Sequence, residues 1–150
     1  MQTDREIEFV TVWIGGQLFG LPIARVHDVF MVDRLTRVPL APIEIAGILN
    51  LRGRVVTTID MRRRLELPAR EEGRGNMAVG IEHRGESYGL LIDSVGEVLK
   101  ISAANCEPNP VNLDSRWSHV ADGVVQLEGQ LMVVLDVDRV LEIKVTAFAA

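Results

Sequence analysis

The residues of this 150-residue chain that could do chemistry are few, and their spacing does not assemble a reacting centre. His27, His83 and His119 are scattered, and no His-Glu-x-x-His helix or Cys/His spacing of a zinc site accompanies them. Serine, histidine and aspartate all occur, but no Gly-x-Ser-x-Gly elbow places a nucleophile beside a base. The glycine-rich pieces, Gly15-Gly16 and Gly73-Arg74-Gly75, do not open helices after strands as a phosphate cradle must. Cys106 is the only cysteine, which excludes an intramolecular disulfide and a Cys-rich zinc site and suits a small packed side chain in a reducing compartment. The expectation is a protein without catalytic group, metal or cofactor.

Charge placed at a turn is the more informative signal. Ile48, Leu49 and Leu51 precede Arg52-Gly53-Arg54, and Val55 to Ile59 is a β-branched run, the pattern of a hairpin with its charge at the tip. Gly53 can adopt a positive φ without steric penalty, so the turn would hold two guanidinium groups in solvent where a partner can reach them. Arg62-Arg63-Arg64 is the longest basic run, and an RNA-binding small barrel is the alternative it raises. Against that alternative, consecutive residues point around a helix, aromatics are only 5% of the chain, and 21 acidic against 16 basic residues give a net charge of −5.

The elements that must position these groups are short strands. Phe9 to Ile14 alternates, Gly15-Gly16 turns, and Gln17 to Leu21 returns. Ile23 to Phe30 reads as a helical turn leading into a strand, Pro39 and Pro42 bracket a turn, and Ile43 to Gly47 suggests one helical turn. Asp60 sits at an N-cap position before a short helix ended by Pro68, and Ala69 to Asn76 reads as a mobile loop. Met77 to Glu82 and Tyr88 to Ile92 form another hairpin, Val95 to Ile101 another strand, and Ser102 to Ser118 a long crossing loop. Val124 to Leu127 and Leu131 to Leu135 make the last hairpin before a helix capped by Asp136.

The two halves repeat one order. Gly20 matches Gly89, Val26 matches Val95, Asp28 matches Glu97, Gly47 matches Gly123, Gly53 matches Gly129 and Asp60 matches Asp136. Such self-similarity predicts two copies of one β module, each able to close most of its edges as a small barrel. The boundaries follow: one unit over 8–145, made of subdomains at about 15–76 and 77–141, with flexible tails at 1–7 and 146–150. Whether the first strand pairs within its own half or crosses to the other is left open by the pattern. One turn of the repeat reads Arg-Gly-Arg and its counterpart Glu-Gly-Gln, so the difference lies outside what the backbone turn requires. The N-terminus lacks a secretory signal pattern, and no apolar run reaches bilayer-spanning length.

Phe19 to Val29, the stretch Gly47-Ile-Leu-Asn-Leu-Arg-Gly-Arg-Val-Val-Thr-Thr-Ile-Asp, and Tyr88 to Leu99 together resemble the CheW family of chemotaxis coupling proteins, over roughly Glu8 to Leu141. The resemblance implies an all-β fold of two SH3-like five-stranded barrels, and a non-enzymatic cytoplasmic adaptor. It implies as partners a CheA-type histidine kinase, met through that kinase's CheW-like regulatory domain, and the cytoplasmic hairpin tip of a chemoreceptor, with no nucleic acid and no direct membrane contact. Carried over by position, the partner-facing residues would be Ile23, Val26, Asp28 and Gly47, then Asn50, Arg52 and Gly53 of the turn. Met77, Ala78, Gly89 and Val98 would complete them in the second half. Asp28 stands where a longer Glu is common in the family, and Met77 where a β-branched residue is common.

Overall fold

The computed structural model describes residues 5–68 and 77–143. The strands of the first half are β1 (Glu6–Ile14), β2 (Gln17–Pro22), β3 (Val26–Met31), β4 (Ile45–Leu51) and β5 (Arg54–Asp60), followed by helix α1 (Met61–Arg64). Those of the second are β6 (Met77–His83), β7 (Glu86–Ile92), β8 (Ser94–Ser102), β9 (Cys106–Glu107), helix α2 (Ser115–Ser118), β10 (Ala121–Leu127) and β11 (Gln130–Leu135), closed by α3 (Val137–Val140). They form two sheets, one ordered β8-β1-β2-β11-β10-β9 and the other β3-β6-β7-β5-β4.

The sheets do not follow the division between 15–76 and 77–141. Each repeat gives its first hairpin to the other: β1-β2 lies between β8 and β11, and β6-β7 lies between β3 and β5. The crossing contacts are parallel, Leu18 to Gly20 against Met132 to Val134, and Ser87 to Leu91 against Val56 to Asp60. The open question about the first strand is thereby answered in favour of crossing. The reason is visible in burial, because Phe9, Val10, Val12, Ile14, Leu18, Phe19 and Leu21 are all buried, which commits both faces of the first hairpin to the interior. Alternation identifies neighbours across a tight turn but not a partner a hundred residues away.

Chain continuity curls each sheet. β8 and β9 stand at opposite ends of their sheet, yet only the 3₁₀ turn Ala103–Asn105 separates them, a reach of roughly 10 Å. In the other sheet Thr36, soon after β3, exchanges two 2.8 Å backbone hydrogen bonds with Ile48 on the opposite edge strand. Each sheet therefore wraps around its own small core, Phe9, Leu18, Val125 and Met132 in one and Val32, Ala78 and Leu91 in the other. A larger cluster, including Val12, Phe19, Leu21, Ile59, Leu90, Ile92 and Leu135, fills the space between them.

The repeat holds in detail. Gly47 and Gly123 take φ of 156° and 152° at equivalent bulges, where a Cβ would come within 2.7 Å of the Thr36 carbonyl oxygen and 2.5 Å of that of Glu107. Asp60 caps α1 by accepting from the Arg62 and Arg63 amides, and Asp136 caps α3 by accepting from that of Arg139. The arginine run is folded into the protein. Arg62 donates to both Asp93 oxygens at 2.9 and 2.6 Å while Asp93 also accepts from the Gly15 amide, and Arg64 donates to the Val140 and Arg139 carbonyls at 2.8 and 2.9 Å.

Three local expectations change. Ile45 to Gly47 begins strand β4 rather than ending a helical turn, since the bulge at Gly47 lets Ile45 pair with Ile59. The crossing loop over 102–118 contains β9 and α2, elements of two and four residues that are too short to show a period. Glu6 and Ile7 are not tail residues, because they pair with Ser102 and Ile101. The loop expected at 69–76 and the tail at 146–150 lie outside the described residues.

Thr58 is fully buried and its hydroxyl has no partner among the described residues, whereas its repeat equivalent is the buried Val134. Thr58→Val should therefore raise stability by about 1 kcal/mol, read as a higher urea midpoint at unchanged slope. A lower midpoint would show that the hydroxyl is satisfied.

Candidate functional site

The turn between β4 and β5 consists of Arg52 and Gly53, with φ of 53° and 81°, both left-handed, as a two-residue type I′ hairpin turn requires. Asn50 secures it by accepting a 3.0 Å hydrogen bond from the Gly53 amide on its side-chain oxygen. At the equivalent turn only Gly129 has a positive φ, so the two copies differ in backbone as well as in charge.

Arg52 and Arg54 project at the mouth of the five-stranded barrel, where they line a pocket with His27, Asp28, Phe30 and Tyr88. β3 reaches this mouth through its pairing with β6, which sets Asp28 opposite Gly80. The Asp28 carboxylate lies over Gly80 in space that a side chain there would fill, and the Phe30 ring would meet a Cβ on Gly89 at 3.2 Å. Gly80 and Gly89 are themselves cross-strand partners. Their missing side chains are what admit an acid and an aromatic ring to the barrel mouth. Tyr88 stands beside them, its hydroxyl 3.1 Å from a Glu86 oxygen, and burial together with that neighbour pushes its phenol pKa up.

The electrostatic state of this mouth differs from that of the other charged clusters. Arg25 holds Asp138 at 2.8 Å and lowers its pKa, with His83 at 3.2 Å, and Arg116 bonds Asp114 at 2.6 Å, which brings that carboxyl down to about 2. Asp28, Arg52 and Arg54 have no side-chain hydrogen bond or ion pair among the described residues. A carboxylate and two guanidinium groups thus face solvent unneutralised around a small apolar floor. That arrangement can bind acids and donors of another molecule. Among the described residues no three His, Cys, Asp or Glu side chains are grouped to hold a metal.

The residues singled out from the sequence fall into three places. Asp28, Asn50, Arg52 and Gly53 gather at the barrel mouth with Gly89 beneath. Ile23 and Val98, 40% and 50% exposed, lie elsewhere, Ile23 in the 3₁₀ turn before β3 and Val98 on edge strand β8 of the other sheet. Val26 and Met77 are half-buried against the central core, Ala78 is wholly inside the barrel, and Gly47 is buried at its bulge. Ala78, Gly47 and Gly89 are thus buried beneath the surface of this structure. Sequence reasoning missed His27, Phe30 and Tyr88. Two of them lie on β3 next to Asp28, and a pairing of β3 with β6 would have brought the third into view.

Residues 8–145 match the CheW-like domain family. A chemotaxis protein CheW of Rhizobium meliloti is 28% identical over 133 residues, spanning 89% of this chain and 86% of that one. Protein FrzA of Myxococcus xanthus is 32% identical over 131 residues, spanning 85% and 79%. The crystal structure of the scaffolding protein TtCheW from Thermoanaerobacter tengcongensis is similar with a TM-score of 0.84 at 26% identity, over 93% of this chain and 95% of that one.

The geometry separates turn building from docking. Asn50→Ala should lower stability by about 1 kcal/mol through the lost turn hydrogen bond, while Arg52→Ala should change it by less than about 0.5 kcal/mol. Urea unfolding of both variants checks this, and equal losses would show that the Arg52 side chain is structural.

Proposed function

The chain belongs to the CheW-like family of chemotaxis coupling proteins, and on that premise we propose how it couples: as an adaptor that catalyses no reaction and holds a chemoreceptor hairpin tip and a CheA-type histidine kinase in one complex. The observation that carries the reading is the group Asp28, Arg52 and Arg54 at a barrel mouth, without an ion pair among the described residues, whereas Asp93, Asp114 and Asp138 are each held by an arginine of the chain itself. Charges held ready on rigid strands select a partner with the opposite pattern and fix its register. Asp28 on β3 and Arg52 in the β4-β5 turn bear opposite signs at the mouth, so they suit a partner surface that is itself mixed, as a related barrel domain of the kinase would be. Ile23 and Val98 add exposed apolar contact area on separate elements.

The working place is the cytoplasmic side of receptor and kinase clusters, reached through those partners. Among the described residues no helix is long and apolar enough to cross a membrane. RNA binding finds no support in the family or the relatives, and the arginine run that suggested it is bonded to Asp93 and to carbonyls at the end of α3.

Arg52→Ala should weaken binding of the kinase regulatory domain by about tenfold or more with the fold intact, and Asp28→Lys should do the same through an unpaired or like charge. Calorimetry with the purified domain, and co-sedimentation with receptor fragment and kinase, measure the effect. Unchanged affinity for both variants would remove the barrel mouth from the interface.

A further inference from the structure

One register row crosses the whole five-stranded sheet just inside the barrel mouth. Asp28 lies opposite Gly80, Gly80 opposite Gly89, Gly89 opposite Thr58 and Thr58 opposite Gly47. Residues of one row share a face, so three of these five positions add no side chain to it. A Cβ built on Gly80 would collide with the Asp28 carboxylate, and beyond Asp28 the nearest atom it would meet is on the Phe30 ring at 3.3 Å. The Asp28 carboxylate therefore occupies the volume of a missing side chain. Asp28 is half-buried there, although it stands on an edge strand at the rim of a pocket.

The second repeat carries the same row with that space filled. Thr11 stands where Gly80 does, and it is followed across the other sheet by Gly20, Val134 and Gly123. The edge strand is irregular at the same point in both copies, between Val26 and Asp28 in β3 and opposite Val10 to Val12 in β8. Thr11 is buried, and its hydroxyl donates a 2.5 Å hydrogen bond to the backbone carbonyl of Glu97, the residue that matches Asp28. Glu97 is exposed. With a side chain on the neighbouring strand the acid stands out in solvent, and without one it lies back over the strand.

That difference has an electrostatic consequence. Asp28, Arg52 and Arg54 line one pocket, yet no ion pair joins them among the described residues. Opposite charges around so small a mouth neutralise one another wherever their side chains can meet, and a guanidinium group accepts a carboxylate readily. We propose that Gly80 is the positioning residue of this mouth: its missing side chain gives the Asp28 carboxylate a place on β6, apart from Arg52 and Arg54, and so keeps all three charges available to the kinase regulatory domain. A side chain at position 80 forces the carboxylate off the strand toward the two guanidinium groups. The mouth then neutralises itself with every charged residue still present. This assignment rests on the adaptor reading and adds to it the residue that keeps the docking charges apart.

The test uses the full chain and the purified kinase regulatory domain. Gly80 has no positive φ, and the atoms in the way of an alanine there are mainly the end of one flexible side chain, so Gly80→Ala should keep or raise the urea midpoint. The same variant should lose about tenfold in kinase-domain affinity by calorimetry, an effect opposite in sign to that on stability. Its crystal structure should show the Asp28 carboxylate bonded to Arg52 or Arg54. In an Asp28→Ala background, where no carboxylate remains to be moved, adding Gly80→Ala should change affinity by less than about twofold. Unchanged affinity in Gly80→Ala overturns the proposal, and so does a further tenfold loss in the Asp28→Ala background. A lower urea midpoint overturns it as well, because the space over Gly80 would then be required by the fold. A wild-type chain that does not bind the kinase domain overturns the adaptor reading instead, and the crystal structure of Gly80→Ala then decides the role of Gly80 alone: an Asp28 carboxylate that meets neither arginine removes it.

Discussion

The exchange of hairpins between the two sheets is the constraint on which the rest of this molecule depends. β1 and β2 bury seven apolar side chains in the sheet they share with the other repeat and in the cluster between the sheets, each contributing about 1.5–3 kcal/mol of transfer free energy before entropy is subtracted. The gross sum rivals the whole net stability of an ordinary domain. Neither barrel is complete without strands from the other half, so the two are locked together by their backbones as well as by the apolar cluster between them. Arg62, reaching from α1 to Asp93 beside the Gly15 turn, fastens the same junction with charge-assisted bonds. Such a frame cannot hinge between the two sheets without breaking sheet hydrogen bonds.

Duplication gives the molecule an internal control. Where both repeats need a feature for the backbone, both retain it: the bulge glycines at 47 and 123, the capping aspartates at 60 and 136, the turn glycines at 53 and 129. Two of their differences fall at the surface, in contrast to the buried exchange of Thr58 for Val134. The charged turn at Arg52 faces a Glu128 counterpart, and the open loop at Leu40 faces a connection closed by Trp117. Divergence between copies under one set of folding requirements separates chemistry kept for contact from chemistry kept for packing, which burial alone does not do.

How far the sequence could be followed depended on the range of the interaction. The strands, the capped helices and the turn at Arg52 are governed by neighbours a few residues apart, and alternation, an Asp before an apolar pair and a Gly in a turn reveal them. The exchange of hairpins is a contact between residues about a hundred positions apart, and period-two patterning carries no record of it. The same limit applies at the site. Arg52 and Asp28 could be named separately, but that they share a barrel mouth depends on β3 pairing with β6, and that Gly80 and Gly89 make room there depends on their lying opposite each other. The Arg62 run raised from sequence only the alternative of a basic patch, and the bond of Arg62 to Asp93 is one that no local pattern announces.

The swapped topology also governs the order in which the protein can mature as it leaves the ribosome. Strands β1 and β2 are synthesised first yet belong to a sheet whose last central member, β11, ends at Leu135, so they wait almost the whole length of translation for a place. The sheet carrying Asp28 and Arg52 closes earlier, once β7 has emerged at Ile92. The barrel carrying Asp28 and Arg52 is therefore assembled while the apolar first hairpin is still unhoused, and a nascent chain in that interval is a natural client for a holding chaperone.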